Sequence, residues 1–200
     1  MKRLGIIDLG SGNRYAVENV LRRININYTL VKSREEISDC SHVILPGVGA
    51  FDDYIVRMKD AGIFDTLANF HSSNIFLLGI CIGMHVLADS SDEGRQKGLG
   101  LISGNVERLD TTMKLPHMGW NSIVSEDSFF DGIDLNKGYY FLHNYHFKSL
   151  GVESSIAYCD YGGEINCVVK NKKVYGVQFH PEKSHINGEL LFRNFMRLEN

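Results

Sequence analysis

The segment GICIG at residues 79–83 combines a potential nucleophile with a tight turn. Cys81 stands between two glycines, after an apolar stretch that predicts a buried strand and before residues with helical spacing. This is the cysteine form of the nucleophile elbow, in which the turn holds the side chain out of the sheet and the glycines avoid clashes. Unpaired N–H groups at the start of the following helix would favour a thiolate. The alternative is a small apolar cysteine buried at the end of a strand.

A second segment, VYGVQFHPE at residues 174–182, supplies a potential base. A cysteine nucleophile needs a base that takes its proton, and the base needs an acceptor that orients it. Pro181 favours an extended or turned backbone at His180, so Glu182 could fold back toward the imidazole. Taken alone, this segment is equally compatible with a surface turn. Together with Cys81 it predicts a Cys–His–Glu triad.

Such a triad also needs donors for a tetrahedral oxyanion. One candidate is the backbone N–H of Ile82, which follows the nucleophile. Another is the segment PGVG at residues 46–49, whose glycines let the backbone turn its amides inward. The alternative is that both segments are ordinary turns.

The elements that would position these residues alternate between strand and helix. Apolar segments predict strands at 3–8, 28–31, 42–45 and 75–80, and helical spacing predicts helices at 17–24, at 50–71 with a break near Gly62, and at 84–88. This alternation predicts a doubly wound, mostly parallel sheet, in which sites form beyond the carboxyl ends of the strands. The turn at 10–13, the loop at 46–49 and Cys81 would then share one edge.

The second half of the chain predicts shorter strands, at 105–109, 139–142, 155–158, 167–170 and 174–178, followed by a helix at the end. We expect a mostly antiparallel extension of the same sheet, so that residues 1–200 form a single α/β domain.

Composition excludes several classes of function. Hydrophobic residues make up 44% of the chain and charged residues 22%, which is typical of a soluble globular protein. A net charge of −3 gives no indication of a nucleic-acid partner. The four cysteines lack C-x-x-C spacing, and neither a signal peptide nor a membrane-length apolar segment is evident. We therefore expect a reducing, cytoplasmic location without disulfides and without membrane contact.

Two further patterns suggest ligands but lack essential residues. The pair Gly10-x-Gly12 resembles the start of a dinucleotide fingerprint, but Tyr15 stands where the third glycine is needed. His143 and His146 have no carboxylate at ligand spacing. We therefore expect neither a cofactor nor a metal.

These features together resemble the class I, triad-type glutamine amidotransferases, and within them the glutaminase subunits of histidine biosynthesis. The resemblance implies a class I amidotransferase-like fold with a central, mostly parallel sheet flanked by helices. The segments that carry it run in family order over nearly the whole chain, at 8–13, 46–51, 79–84, 93–102, 116–121, 140–145 and 178–184.

The resemblance also implies roles for individual residues. Cys81 would attack the side-chain amide of glutamine, giving a thioester and ammonia, while His180 moves protons and Glu182 orients the imidazole. Ammonia would pass to a barrel-fold synthase (cyclase) subunit in a heterodimer without reaching bulk water. The positions implied for the oxyanion loop and for holding glutamine are Val48, Gly49, Ile82, His85, Glu93, Asn144 and Tyr145. The positions implied for the partner-facing side are Asn13, Met118, Trp120 and Tyr140.

Trp120 is the only tryptophan of the chain. On an exposed face it would be a natural contact anchor, whereas the alternative is an ordinary core position.

Two residues depart from the family pattern, and they keep other functions open. His85 stands where the family has glutamine, on the helical face that returns to the nucleophile, and Asn144 stands where serine or threonine is usual. One alternative is therefore a related glutaminase that supplies ammonia for amidination of a surface sugar. A non-catalytic assembly subunit would not need the three triad residues, and a cysteine peptidase of related fold would have no role for the segment at 116–121.

Overall fold

A computed structural model describes residues 2–10, 13–151 and 154–199, and its largest feature is a seven-stranded sheet. The parallel strands are β1 (Leu4–Ile7), β2 (Tyr28–Val31), β3 (His42–Gly47), β4 (Phe76–Cys81) and β12 (Val174–Val177). The antiparallel strands are β10 (Ser155–Asp160) and β11 (Glu164–Asn171). The order β10-β11-β12-β4-β3-β1-β2 confirms the predicted α/β class, with its antiparallel extension at one edge.

Helices cover both faces of this sheet, so its central strands β3 and β4 are buried along their whole length. On one face, α1 (Arg14–Arg23) and α6 (His185–Arg197) pack in one hydrophobic cluster. On the other face lie α3 (Phe51–Asp60), α4 (Phe64–Ala68) and α5 (Ile82–His85). The predicted break near Gly62 separates α3 from α4. Another helix, α2 (Arg34–Ser38), was not predicted, although Ser33 and Glu36 form the capping box that marks its start.

The predicted helix at 84–88 is shorter than expected, since α5 ends at His85. The carbonyls of Val86, Leu87 and Ala88 accept hydrogen bonds of 2.8–3.1 Å from the backbone of residues 99–102 instead of from a continuing helix. A Cβ at Gly98 would overlap the Ala88 carbonyl oxygen, so this close approach requires glycine. The segment therefore folds as one helical turn followed by a tight, fully buried loop.

The prediction that strands near 105–109 and 139–142 extend the main sheet is wrong. β5 (Ser90–Ser91), β6 (Gly104–Arg108) and β9 (Tyr145–Ser149) form a second sheet, and β7 (His117–Asn121) pairs with β8 (Tyr139–His143) as a two-stranded ribbon. The consecutive strands β8 and β9 are separated only by Asn144 yet pair with different partners. Alternating hydrophobicity shows that one face of a strand is buried, but it does not select the neighbouring strand.

Within the described ranges, none of the helices combines the length and the apolar character needed to cross a bilayer.

Gly188 of α6 gives a test of how this helix supports the His-Pro-Glu segment. A Cβ at Gly188 would overlap the backbone carbonyl of Pro181, in the 3-10 turn Pro181–Lys183. Alanine normally stabilises a helix interior relative to glycine by about 1 kcal/mol. We expect Gly188→Ala instead to lower the free energy of unfolding by about 1–3 kcal/mol, because the clash must be relieved by moving the turn.

Urea unfolding of this variant and of Gly62→Ala provides the comparison. At Gly62 the φ angle is +69° and a Cβ meets nothing within 4 Å, so only backbone strain of about 1 kcal/mol is expected. A Gly188→Ala protein as stable as the native one would contradict the packing described here.

Candidate active site

Cys81 occupies a strained turn at the carboxyl end of β4. Its φ and ψ of 55° and −109° lie in a region that residues with side chains rarely adopt. A Cβ at Gly79 would overlap the backbone of Gly83, and a Cβ at Gly83 would overlap the Leu45 carbonyl oxygen. The expectation that both flanking glycines avoid clashes is therefore confirmed. The turn is tight enough that only glycine fits at positions 79 and 83, two residues before and two residues after the cysteine.

The structure brings Cys81, His180 and Glu182 together, although about 100 residues of chain separate the first from the other two. Val177 ends β12, the parallel neighbour of β4, and the chain continues directly to His180. The His180 Nδ1 lies 2.7 Å from Glu182 Oε1, and the His180 ring lines the same cavity as Cys81. With 1% of its surface exposed, the imidazole is shielded from bulk water.

The surroundings of His180 favour its protonated form. Burial by itself lowers the pKa of this imidazole, but hydrogen bonds and charge attraction from Cys81 and Glu182 outweigh burial and raise the pKa to about 10. A protonated imidazole between a sulfur and a carboxylate is stabilised as an ion pair with either anion. The arrangement therefore favours a protonated imidazole at neutral pH.

Asn13 takes part in this network rather than facing outward. Its side chain is 8% exposed, and its Nδ2 donates to Glu182 Oε1 while lying 3.2 Å from His180 Nδ1. His180 Nδ1 donates its hydrogen to Glu182, so it cannot accept one from Asn13. The carboxylate of Glu182 is therefore the acceptor for the amide of Asn13. Asn13 was predicted to belong to the partner-facing side, and its contact with a partner stays a prediction, whereas its side chain is buried against Glu182. Asn13 is also the N-cap residue of α1 but makes no side-chain capping bond, so its amide is free for Glu182.

Ser11 and Gly12, which precede Asn13 in the predicted turn, lie outside the described residues.

A cavity of about 210 Å³ opens onto the sulfur and the imidazole. Its volume is on the scale of one small amino acid, and Glu93 is the acidic side chain in its wall. The wall includes every residue for which glutamine contact was predicted: Val48, Gly49, Ile82, His85, Glu93, Asn144 and Tyr145. The structure thus gathers these seven positions around Cys81 and His180, which agrees with the predicted arrangement without demonstrating a bound ligand.

The loop at 46–49 is fixed against the nucleophile turn. Gly47 is the register partner of Cys81 in the β3–β4 pair, and a Cβ there would overlap Tyr54 and Ile82. The Tyr54 hydroxyl donates to the Pro46 carbonyl at 2.7 Å, and burial raises the pKa of this phenol, which keeps it a donor. Gly49 has a φ of +124°, a conformation that favours glycine.

Glu93 is held at the cavity by the start of α3. Its Oε2 accepts the backbone N–H of Phe51 at 3.0 Å. Burial raises the pKa of Glu93, and the nearby carboxylates of Asp52 and Asp53 add to this effect, whereas the bond from Phe51 opposes it. A positively charged ligand group beside Glu93 would relieve this repulsion.

His143 and His117 form a neutral chain behind the cavity. His143 Nδ1 donates to the Tyr145 carbonyl at 2.8 Å, so its Nε2 accepts from His117 Nδ1 at 2.9 Å. Burial lowers the pKa of His117 to about 4 and that of His143 well below its usual value. In the part of the chain that the structure describes, no three His, Cys, Asp or Glu side chains converge as metal ligands would.

Gln178 was not predicted as a site residue, yet it lies beside the nucleophile. Its Oε1 is 2.7 Å from His85 Nε2, and its Nε2 is 4.0 Å from Cys81 Sγ. Burial lowers the pKa of His85 to about 4, so this imidazole is neutral at physiological pH. The segment QFHPE contained a signal for Gln178, since alternate residues of an extended chain face the same side.

Three of the four predicted partner-facing residues share the β7–β8 ribbon. Met118 and Trp120 are 60% and 49% exposed, so a core position for Trp120 is excluded. Trp120 pairs with Tyr140 across the ribbon and stacks on His185, with 5.1 Å between ring centroids. The backbone carbonyl of Tyr140 accepts the N–H of His180 at 2.8 Å, so this face adjoins the triad directly.

Comparison with known proteins places this site in a family. The family model described as "Glutamine amidotransferase class-I" matches residues 5–198, and the chain belongs to that family.

Named relatives and solved structures refine the comparison. The imidazole glycerol phosphate synthase subunit HisH of Leptospira borgpetersenii is 40% identical, over 98% of this chain and 100% of its own length. The subunit of the same name from Bdellovibrio bacteriovorus is 39% identical, over 96% and 98%. A crystal structure of a glutamine amidotransferase has a TM-score of 0.75 at 23% identity over 96% of both chains. PurLQS from Thermotoga maritima has a TM-score of 0.74 at 18% identity over 98% of both. These two structures show likeness of fold alone.

The raised pKa of His180 can be tested by titration. We expect the His180 ring to titrate near pH 10 in the native chain. In Cys81→Ala the hydrogen bond and charge from sulfur are lost while burial persists, so the pKa should fall by about one unit or more. The ring would then lose its proton at lower pH. NMR titration of the histidine ring protons measures this shift.

His42 provides an internal control for the titration. Burial lowers its pKa to about 4, and it lies at the amino end of β3, far from the triad. The His42 resonance should be unchanged in Cys81→Ala. An unchanged His180 titration in that variant would contradict the proximity of sulfur and imidazole.

Proposed function

We propose that this chain is the glutaminase subunit of an imidazole glycerol phosphate synthase and acts in histidine biosynthesis. The observation that carries the proposal is that Cys81 and His180 line one cavity of about 210 Å³ while Glu182 is hydrogen-bonded to the His180 ring. Membership of the amidotransferase family and full-length similarity to proteins named as HisH subunits support it. In this proposal residues 1–200 form one glutamine amidotransferase domain, located in the cytoplasm and working without a cofactor.

The first chemical step is thioester formation. His180 holds the proton of the Cys81 thiol, and the thiolate attacks the side-chain amide carbon of glutamine. The carbonyl oxygen becomes an oxyanion, for which the N–H groups of Ile82 and of the loop at 48–49 are the candidate donors. When the intermediate collapses, His180 gives its proton to the departing nitrogen. Ammonia leaves, and the glutamyl group remains on sulfur.

The second step hydrolyses this thioester. His180, now neutral, takes a proton from water as the water attacks the carbonyl carbon. Collapse of the second tetrahedral intermediate releases glutamate and returns the thiolate–imidazolium pair. Glu182 keeps its charge throughout and holds the imidazole in the Nδ1–H tautomer, and Asn13 fixes the carboxylate in turn.

Recognition of glutamine is proposed for the outer part of the cavity. The carboxylate of Glu93 suits the α-ammonium group of a free amino acid, which would offset the burial and the neighbouring carboxylates that raise the pKa of Glu93. Asn144 and Tyr145, at the junction of β8 and β9, would contact the remainder of the substrate. His85 lies deeper and is already engaged with Gln178, so its contact with glutamine stays a prediction.

We further propose that the ammonia passes directly to a barrel-fold synthase (cyclase) subunit bound on the β7–β8 ribbon. The exposed Met118 and Trp120 provide apolar contact area there, and Tyr140 connects this face to His180 through one backbone hydrogen bond. Ammonia transferred inside such an interface would stay neutral and nucleophilic. Amidination of a surface sugar, suggested by His85 and Asn144, is the competing acceptor.

Activity can be tested in the co-expressed complex of this chain with its synthase. We expect glutamine-dependent release of glutamate and rescue of a histidine auxotroph that lacks its own subunit. Cys81→Ala should reduce glutamate release by about three orders of magnitude or more, because the nucleophile is lost. Cys40→Ala is the matched control, since this free thiol is also buried but lies away from the cavity.

The two assays separate the parts of the proposal. Glutamate release without rescue would disprove the histidine assignment and favour another acceptor. Absence of release from the native complex would disprove the glutaminase itself.

Trp120 tests the partner-binding surface. We expect Trp120→Ala to weaken association with the synthase by about tenfold or more, as for buried aromatic anchors at interfaces. Leu150→Ala, at an apolar residue that is also exposed but lies off the ribbon, should leave the affinity unchanged. Isothermal titration calorimetry measures both, and equal affinities for the two variants would contradict the placement of the interface.

A further inference from the structure

The carboxamide of Gln178 is held between two groups whose chemistry fixes its orientation. Its oxygen faces His85 Nε2 at 2.7 Å and its nitrogen faces Cys81 Sγ at 4.0 Å. In the reverse orientation the amide nitrogen would face His85 Nε2, and the hydrogen of this imidazole would have to lie on the buried Nδ1, which has no acceptor. The side chain is fully buried, and its backbone N–H donates to the Cys167 carbonyl at 2.8 Å. The amide therefore has one favourable position.

The same contacts determine which nitrogen of His85 carries the hydrogen. If Nδ1 carried it, the lone pair of Nε2 would face the oxygen of Gln178, and a buried N–H would lack a partner, since Nδ1 contacts no acceptor. With the hydrogen on Nε2, that nitrogen donates to Gln178, and only a weak acceptor is left unpaired. His85 is therefore a neutral donor through Nε2, which agrees with its 4% exposure.

We propose that His85 is a positioning residue that holds the Gln178 carboxamide with its N–H directed at Cys81 Sγ, so that this N–H stabilises the thiolate. The thiolate then lies between two donors, the imidazolium of His180 and the amide of Gln178. His85 touches neither the sulfur nor the reacting atoms, and it acts through Gln178. The importance of this contact for glutamine hydrolysis rests on the proposed function, but its effect on the thiol does not.

The backbone explains why Gln178 and His180 face the same group. They are two residues apart in the bend that follows β12, and both lie beside Cys81, whereas Phe179 between them is buried in the core. Phe179 stacks on Tyr139 with 3.9 Å between centroids, in the core behind the site. The end of β12 thus leads to two donors beside the sulfur, Gln178 and His180. Phe179, which packs in the core, holds this segment in place.

The proposal also accounts for the departure of His85 from the family pattern. A glutamine side chain at position 85 has an N–H that can donate to the Gln178 oxygen, just as the imidazole does. The requirement at this position is therefore a neutral donor of suitable length. We expect His85→Gln to preserve the arrangement and His85→Leu to abolish it.

Alkylation of Cys81 by iodoacetamide tests this without any glutamine turnover. The rate is followed over pH on the full chain, with modification of Cys81 counted by peptide mass spectrometry. In Gln178→Met and His85→Leu we expect alkylation at neutral pH to slow by about tenfold, because the thiolate has lost a donor. At alkaline pH, where the thiol is fully ionised, the rates should match that of the native chain. His85→Gln should follow the native profile.

His42→Leu is the structural control, since His42 is buried but packs on Phe76 and Phe195 at the other end of the sheet. It should lower stability without moving the alkylation profile. Native-like profiles in Gln178→Met and His85→Leu would overturn the proposal, as would a His85→Gln profile equal to that of His85→Leu. A shifted profile in a chain whose complex releases no glutamate would support the inference while refuting the glutaminase.

Discussion

The structure depends on a close backbone approach at the centre of the parallel sheet. Gly83, directly after the nucleophile turn, contacts the carbonyl of Leu45 on the neighbouring strand so closely that no side chain fits between them. Gly79 allows the same turn to fold back on β4. These two contacts hold Cys81 in its strained conformation, which a free chain would not adopt. The sulfur is therefore placed by the sheet and needs no flexible loop to support it.

The rest of the site is built on the strands next to this turn. β3 leads into the loop at 46–49, and β12 leads into Gln178 and His180, so both neighbours of β4 end at the same edge. Parallel pairing therefore converts three distant segments into one surface. The small sheets close the opposite wall, where β8 and β9 meet at Asn144. Helices pack on both faces of the sheet, so the strand ends that line the cavity are held from both sides.

Sequence reasoning succeeded where the cause is local. The strands of the first half, the helix break near Gly62 and the two glycines of the nucleophile turn all follow from residues within a few positions of each other. Apart from α2, which was missed although its capping box is local, the errors arose from long-range pairing. The helix after Cys81 ends early because N–H groups of residues 99–102 donate to the carbonyls that a longer helix would use. The strand β6 pairs with β9 and does not join the main sheet.

The candidate site shows the same difference between what local sequence predicts and what long-range contacts decide. The residues themselves predicted the triad, the resemblance to the family supplied the positions of the cavity wall, and the structure brings both sets together. Neither the residues nor the resemblance supplied the orientation of individual amides. The contact of Asn13 with Glu182 and that of Gln178 with His85 depend on side chains brought together across more than 90 residues of chain. No spacing rule links such positions in the sequence, so only the folded structure reveals these two contacts.

The single tryptophan has a consequence for solution spectroscopy. Its indole ring is about half covered, stacked on His185, and lies on the ribbon next to His180. Because the chain has no other indole, ultraviolet emission excited at the tryptophan band comes from this one spot. When a binding partner covers the ring, water is excluded and the emission maximum shifts. The intrinsic fluorescence of this protein therefore reports binding at the ribbon.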